Sequence, residues 1–142
     1  MNSLLASSLY NHDFIKYRKN NTTTQRNRFS KSVKGEEVPV VVDSIDPKLC
    51  IKENGKEYHF YKKLLIEDIL LEVKKSIKIE ENQVLKVGLD NGKILDNIDI
   101  VGDLYLKYKN QDDNILYLFI TQETTIYGYI MSLIRYVFGM KV

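Results

Sequence analysis

The stretch Ile51-Lys52-Glu53-Asn54-Gly55-Lys56-Glu57-Tyr58 decides the fold, because it places Asn-Gly between two segments of alternating apolar and polar residues. Asn-Gly is typical of a two-residue β-hairpin, since both central residues of a type I′ turn need a positive φ. Closing this turn predicts that Ile51 lies opposite Tyr58. Leu49 then lies opposite Phe60, and these apolar side chains share the face of the hairpin that meets the core.

An amphipathic helix follows this hairpin. Its apolar residues recur at i, i+3, i+4, i+7 and i+11 and form one stripe: Ile66, Ile69, Leu70, Val73 and Ile77. A second Asn-Gly, in Asp90-Asn91-Gly92-Lys93, predicts a second hairpin that returns through Ile94 and Leu95. Two further apolar segments, 105–108 and 115–120, are predicted strands separated by a polar loop at 109–114. Alternation can leave tyrosines of these strands on an exposed face that binds a partner: Tyr105, Tyr108 and Tyr117.

The composition predicts one folded unit without catalytic or metal chemistry. A chain of 142 residues with 44% apolar content is long enough for a single core. Cys50 is the single cysteine and the chain has two histidines, which excludes an internal disulfide and a Cys/His zinc site. The hairpin places Cys50 opposite His59, but no third group is evident to activate a thiolate. We therefore expect neither an enzyme nor a cofactor.

Residues 1–43 are predicted to form a disordered basic arm. The first 35 residues carry a single acid, Asp13, and these basic residues: Lys16, Arg18, Lys19, Arg26, Arg28, Lys31 and Lys34. Such an arm favours electrostatic contact with an acidic surface. Its few interleaved aromatic residues argue against a nucleic-acid partner. The expected location is cytoplasmic, with an organelle as the alternative if the arm is a transit peptide.

Residues 123–142 are predicted to form an apolar C-terminal helix. Its candidate partner-binding residues are Ile126, Tyr127, Ile130, Leu133, Ile134 and Val137. Three interpretations stay open: packing on the domain, docking on a partner or a second copy, and an in-plane anchor on a membrane surface through 126–138. The segment is too short, and too interrupted by Arg135, to predict a membrane span.

The order hairpin, helix, hairpin, strand resembles the ubiquitin-like β-grasp superfold over residues 48–120. Three strings carry the resemblance, at 51–58, 69–74 and 89–96. Doublecortin-type domains, a branch of that superfold, are similar in detail, through the first Asn-Gly and the acidic-hydrophobic stretch at 98–105. That closer resemblance implies microtubule binding, with tubulin as the partner.

These observations together predict an α+β protein. A ubiquitin-like β-grasp domain at 44–122, with ββαββ order and an extra strand, lies between the basic arm at 1–43 and the helix at 123–142. The predicted function is that of a non-enzymatic protein-protein interaction or adaptor module. The alternatives are a doublecortin-like microtubule-binding protein and a membrane- or organelle-associated protein held by its C-terminal helix.

Overall fold

A single four-stranded sheet lies between two layers of helices in the computed structural model, which describes residues 14–44, 55–77, 83–124 and the positions 133, 134 and 137. The elements in chain order are α1 (Phe14–Asn20), α2 (Thr23–Lys31), β1 (Glu37–Ser44), β2 (Lys56–Tyr61), α3 (Ile66–Lys74), β3 (Gln83–Leu89), α4 (Val101–Tyr108) and β4 (Leu116–Thr124). The strand order is β2-β1-β4-β3, with β1 parallel to β4 and the other neighbours antiparallel. The predicted α+β class is confirmed.

The two central strands contain continuous apolar runs, at 38–42 in β1 and 116–120 in β4, because both faces of the sheet are covered. Val40, Val41 and Val42 are fully buried in β1. Val40 and Val42 face α3 and α4 in the main core, whereas Val41 faces α1 and α2 in a second, smaller core. A strand that is buried on both faces shows no alternation of apolar and polar residues.

Residues 14–44 are folded, which differs from the predicted disordered arm at 1–43. They form α1, α2 and the central strand β1. α2 begins with a capping box, in which Thr22 Oγ1 accepts from Gln25 N–H and Gln25 Oε1 accepts from Thr22 N–H. Among the described side chains of the two helices, the aromatic rings of Tyr17 and Phe29 cover this face of the sheet, and α2 has no other large apolar residue. The polar composition of this segment therefore does not indicate disorder at residues 14–44.

β2 pairs with a strand that the sequence analysis does not predict. Tyr58 lies opposite Val40 and Phe60 opposite Val38 of β1, whereas the predicted register with Ile51 and Leu49 falls outside the described residues. Residues 45–54, which include that predicted strand, lie outside the described part of the chain. The predicted faces are confirmed, since Phe60 and Tyr58 pack into the main core. Gly55 takes the positive φ, 106°, that the Asn-Gly pattern predicts.

The predicted amphipathic helix is confirmed as α3. Ile66, Ile69, Leu70 and Val73 are buried, and Ile77 packs against the same core. The second Asn-Gly turn is confirmed as well. Gly92 N–H donates to Leu89 O at 2.9 Å, and the returning Leu95 N–H donates to Val87 O at 2.8 Å.

The two predicted strands after this turn have different outcomes. Residues 105–108 are the second half of α4, so the predicted strand there is wrong. Four residues are too few to separate a helical from a strand period, and only the longer spacing at i, i+3, i+4 and i+7 indicates a helix: Val101, Leu104, Tyr105 and Tyr108. Residues 115–120 do contain a strand, but β4 is the closing central strand of the sheet and not an extra one.

Candidate protein-interaction site

β2 is an edge strand of the sheet in the described part of the chain. Lys62 N–H donates to Glu36 O at 2.8 Å, which fixes the hydrogen-bonded positions of the β1–β2 ladder. Antiparallel pairs alternate between bonded and non-bonded positions, so the backbone groups of Tyr58 and Phe60 point toward β1. The intervening N–H groups, those of Glu57, His59 and Tyr61, point away from the sheet. No segment among the described residues pairs with this outer edge.

Pro39 supports this assignment of the ladder. It lies opposite His59 at a non-bonded position, where β1 needs no N–H toward β2. The far edge of the sheet differs from the β2 edge, because the chain after β3 returns along it and Leu89 N–H donates to Lys93 O at 2.9 Å. In the described part of the structure, the β3 edge is thus covered at residues 87–89, whereas the β2 edge has no partner along its length.

A cleft of about 630 Å³ lies between α2 and this edge. Its walls are formed by Asn21, Gln25, Arg28, Phe29 and Ser32 on the helical side, and by Glu57, Tyr58 and His59 of β2. The His59 ring stacks on Phe29, with ring centroids 5.2 Å apart and planes at 20°. Its Nε2 lies 3.0 Å from Ser32 Oγ. Backbone donors and an aromatic wall thus lie side by side.

A buried ion pair holds α2 in place on the sheet. Arg26 Nη1 donates to Asp113 Oδ2 at 3.0 Å, and both side chains are almost fully buried. The Tyr117 hydroxyl of β4 donates to the same oxygen at 2.5 Å, and Ile115 N–H donates to Asp113 Oδ1 at 3.1 Å. Since Asp113 precedes β4, this contact joins the helix that forms the cleft wall to the centre of the sheet.

A second contact ties α1 to β2. The Tyr17 hydroxyl donates to Glu57 Oε2 at 2.5 Å. Burial, followed by the hydrogen bond to Glu57, raises the pKa of Tyr17 well above its usual range. Burial and the hydrogen bond to Asp113 raise the pKa of Tyr117 in the same way. Both phenols stay protonated and can act as donors at physiological pH.

The surroundings of the cleft are basic. Arg28 lines the cleft, and Lys31, Lys56 and Lys63 are exposed on α2, on β2 and just after β2. Glu36 forms a salt bridge with Lys62, whereas Glu57 accepts from the neutral phenol of Tyr17 and keeps its negative charge. The four basic side chains outnumber Glu37 and Glu57, so the charge near the β2 edge is mainly positive.

The basic residues predicted to act together as an arm are separated by the fold. Arg26 is buried against Asp113, and Arg18 pairs with Asp112 at 2.7 Å. Only Arg28 lines the cleft. The other bases of the predicted set whose side chains the structure describes are exposed: Lys19, Lys31 and Lys34. The side chain of Lys16 lies outside the described residues.

The predicted tail residues Ile126, Tyr127 and Ile130 lie outside the described part of the chain. Leu133 and Val137 are exposed, at 45% and 69%. Ile134 is partly buried. Docking of this segment stays a prediction.

The predicted exposed tyrosines are placed differently. Tyr117 is buried on the sheet under α1 and α2, so the prediction that it lies on an exposed face is wrong. Tyr105 and Tyr108 lie half-buried on α4. His59 lies opposite Pro39 of β1, and its predicted neighbour Cys50 is outside the described residues.

Sequence reasoning missed the cleft because one of its walls, α2, fell within the predicted disordered arm. The signal that indicates α2 is the capping-box pair Thr22 and Gln25, and Phe29 is the one large apolar residue of the helix. Alternation in β2 did correctly separate His59 from the core residues Tyr58 and Phe60.

The described residues contain neither a candidate membrane-spanning helix nor a candidate metal-ligand cluster. No helix there is both long and apolar enough to cross a bilayer. No group of three or more potential metal-ligating side chains was found in the same ranges.

Comparisons with known proteins identify the fold. No sequence-family model matches this chain, and no curated protein matches it. Among solved structures, the crystal structure of Trypanosoma brucei ATG8 is similar, with a TM-score of 0.64 and 21% sequence identity. The match covers 78% of this chain and 97% of the ATG8 chain. The finer resemblance to doublecortin-type domains is not supported. The chain therefore has a ubiquitin-like β-grasp fold, as the sequence strings predicted.

Proposed function

We propose that this protein is a non-enzymatic interaction module that binds an extended peptide segment of a protein partner along the outer edge of β2. The observation that carries the proposal is the open edge itself, with the outward N–H groups of Glu57, His59 and Tyr61 beside a cleft. A peptide that adds to a sheet edge gains main-chain hydrogen bonds from the edge and specificity from adjoining pockets.

The cleft supplies a pocket for a side chain of that peptide. Residues of a strand alternate between faces, so one residue of the added strand in two points toward α2. Phe29 and the stacked His59 ring offer it an apolar wall, and Arg28 and Ser32 offer donors. The exposed Lys31 and Lys56 favour acidic residues in the rest of the peptide.

The test begins with selection of peptide ligands from a displayed random library against the whole chain. The selected peptides are then measured against His59→Pro and His59→Ala. Proline removes the outward N–H of residue 59, and on the open side of an edge strand it breaks no ladder bond within the domain. Alanine keeps that N–H and removes the ring.

We expect His59→Pro to weaken peptide binding by roughly tenfold beyond the loss caused by His59→Ala, which is the effect of about one hydrogen bond. Circular dichroism and denaturant unfolding check that both variants stay folded. Equal affinities for the two variants would show that the backbone edge takes no part in binding, and would overturn the proposal.

A further inference from the structure

Tyr108, at the end of α4, lies between two lysine side chains from different elements. Lys93, in the turn after β3, donates from Nζ to the Tyr108 hydroxyl at 3.3 Å. The Nζ of Lys93 and that of Lys107 lie 5.6 and 5.3 Å from the centroid of the Tyr108 ring. Tyr105 lies about one turn before Tyr108 on α4, and the Nζ of Lys109 lies 5.3 Å from the centroid of its ring.

This group, Lys93, Lys107, Lys109 and Tyr108, is called the lysine cluster below. None of its lysines forms a salt bridge with a carboxylate in the described ranges. Asp103 lies one helical turn before Lys107, yet Lys107 Nζ lies over the tyrosine ring instead. The electron-rich ring faces and the negative end of the α4 dipole favour the ammonium groups. These partial charges offset only part of the repulsion between two full positive charges.

The phenol of Tyr108 reports the same excess of positive charge. Its hydrogen bond from Lys93, together with the nearby Lys107, lowers the pKa of Tyr108 below its usual range. The ring itself packs against the main core, so it gives the two ammonium groups a fixed surface. The geometry thus brings two cations to one tyrosine, whose hydroxyl accepts from Lys93 and keeps its own proton to donate.

We propose that the lysine cluster is a binding site for a phosphate monoester. A phosphate dianion has several acceptor oxygens, so it can accept from Lys93 Nζ, Lys107 Nζ and the Tyr108 hydroxyl at once. Lys109 adds attraction at longer range. The site lies on α4 and the turn after β3, whereas the cleft lies between α2 and β2, so the two sites are tested separately.

The experiment is an NMR titration of the isotope-labelled whole chain at constant ionic strength. Inorganic phosphate is the first ligand, and a short phosphoserine peptide with its unphosphorylated form is the second. We expect saturable shifts of the amide signals of Lys93, Lys107 and Tyr108 with phosphate and with the phosphopeptide. Tighter binding of the peptide would identify a protein-borne phosphate as the source, and equal binding would identify free phosphate.

Variants test whether the cluster itself makes the site. Lys93→Gln and Lys107→Gln should each weaken phosphate binding by roughly fivefold, the upper effect of an exposed charge pair. Lys74→Gln, an exposed lysine on α3, is the matched control and should change nothing. Non-saturable shifts, or equal losses for all three variants, would show only general attraction of anions and would overturn the proposal.

An independent readout is the absorbance of the Tyr108 phenolate during an alkaline titration, with Tyr108→Phe to assign the signal. A bound dianion disfavours the phenolate, so saturating phosphate should raise the pKa of Tyr108. Titration curves that coincide in phosphate and in chloride of the same ionic strength would contradict a phosphate bound at this residue.

Discussion

Asp113 is fully buried and accepts hydrogen bonds from Arg26, Tyr117 and the backbone of Ile115. Asp113→Asn leaves the buried guanidinium of Arg26 without a counter-charge. We expect a loss of about 3 to 5 kcal/mol in the free energy of unfolding, measured by urea denaturation. The neighbouring Asp112→Asn removes only an exposed pair and should cost less than about 1 kcal/mol. Similar losses for both variants would contradict the structural role of the buried pair.

Two buried phenols, Tyr17 and Tyr117, make the free energy of unfolding depend on pH in the alkaline range. The folded state raises the pKa of Tyr17 and Tyr117, chiefly through burial, whereas an unfolded tyrosine titrates near about pH 10. Their stabilisation is complete below that pH, and it falls as pH rises above about 10 because only the unfolded state then releases the protons. Urea midpoints measured from pH 8 to 11 should decline, and less steeply for the Tyr17→Phe, Tyr117→Phe double variant. The same slope in both proteins would contradict this explanation.

At the level of elements, α4 needs glycine where it crosses the end of β2. A Cβ on Gly102 would lie 2.7 Å from the backbone oxygen of Lys62 and 2.9 Å from its Cβ. Gly102→Ala should therefore lower the free energy of unfolding by about 1 to 3 kcal/mol, although alanine is the better helix former. Leu106→Ala, at a residue of the same helix that is 75% exposed, should stay within about 0.5 kcal/mol. An unchanged stability of Gly102→Ala would show that α4 does not approach Lys62 so closely.

The elements that the sequence predicted correctly are those with a long, one-sided pattern. α3 has a stripe of apolar residues from Ile66 to Val73 that Ile77 continues after the helix, and the turn at 89–93 has Asn-Gly between apolar segments. β1 was missed because Val40, Val41 and Val42 show no period, as a strand covered on both faces must. The apolar residues at 105–108 predict a strand because the helical spacing of α4 is evident only from Val101 onward.

The β2 edge and its cleft were predictable only in part, because they depend on contacts between segments that are distant in the sequence. Its backbone donors follow from the alternation in β2, which separates His59 from Tyr58. Its helical wall depends on Phe29, a single aromatic residue in an otherwise polar segment. Whether an edge is open depends on which strands pair, and that pairing is a long-range property that local sequence patterns do not contain.

At the level of the whole molecule, the fold covers both faces of the sheet, and no strand among the described residues pairs with the outer edge of β2. α3 and α4 cover one face, and α1 and α2 cover the other. The buried pair of Arg26 and Asp113 fixes α2 beside the edge, so the wall of the cleft and the strand have a defined spacing before any partner binds. Such preorganisation reduces the ordering cost of peptide binding.

The most direct measurement is amide hydrogen exchange of β2 by NMR, in the free protein and with a selected peptide. In the free protein, the amides of Tyr58 and Phe60 should exchange slowly, whereas those of Glu57, His59 and Tyr61 should exchange quickly because they point away from the sheet. Peptide binding should slow the second set by at least roughly tenfold, as expected for newly formed hydrogen bonds. Slow exchange of that set in the free protein would mean that the edge is already occupied. Fast exchange in the complex would mean that the peptide binds elsewhere, and either result would contradict an open edge that serves as the binding site.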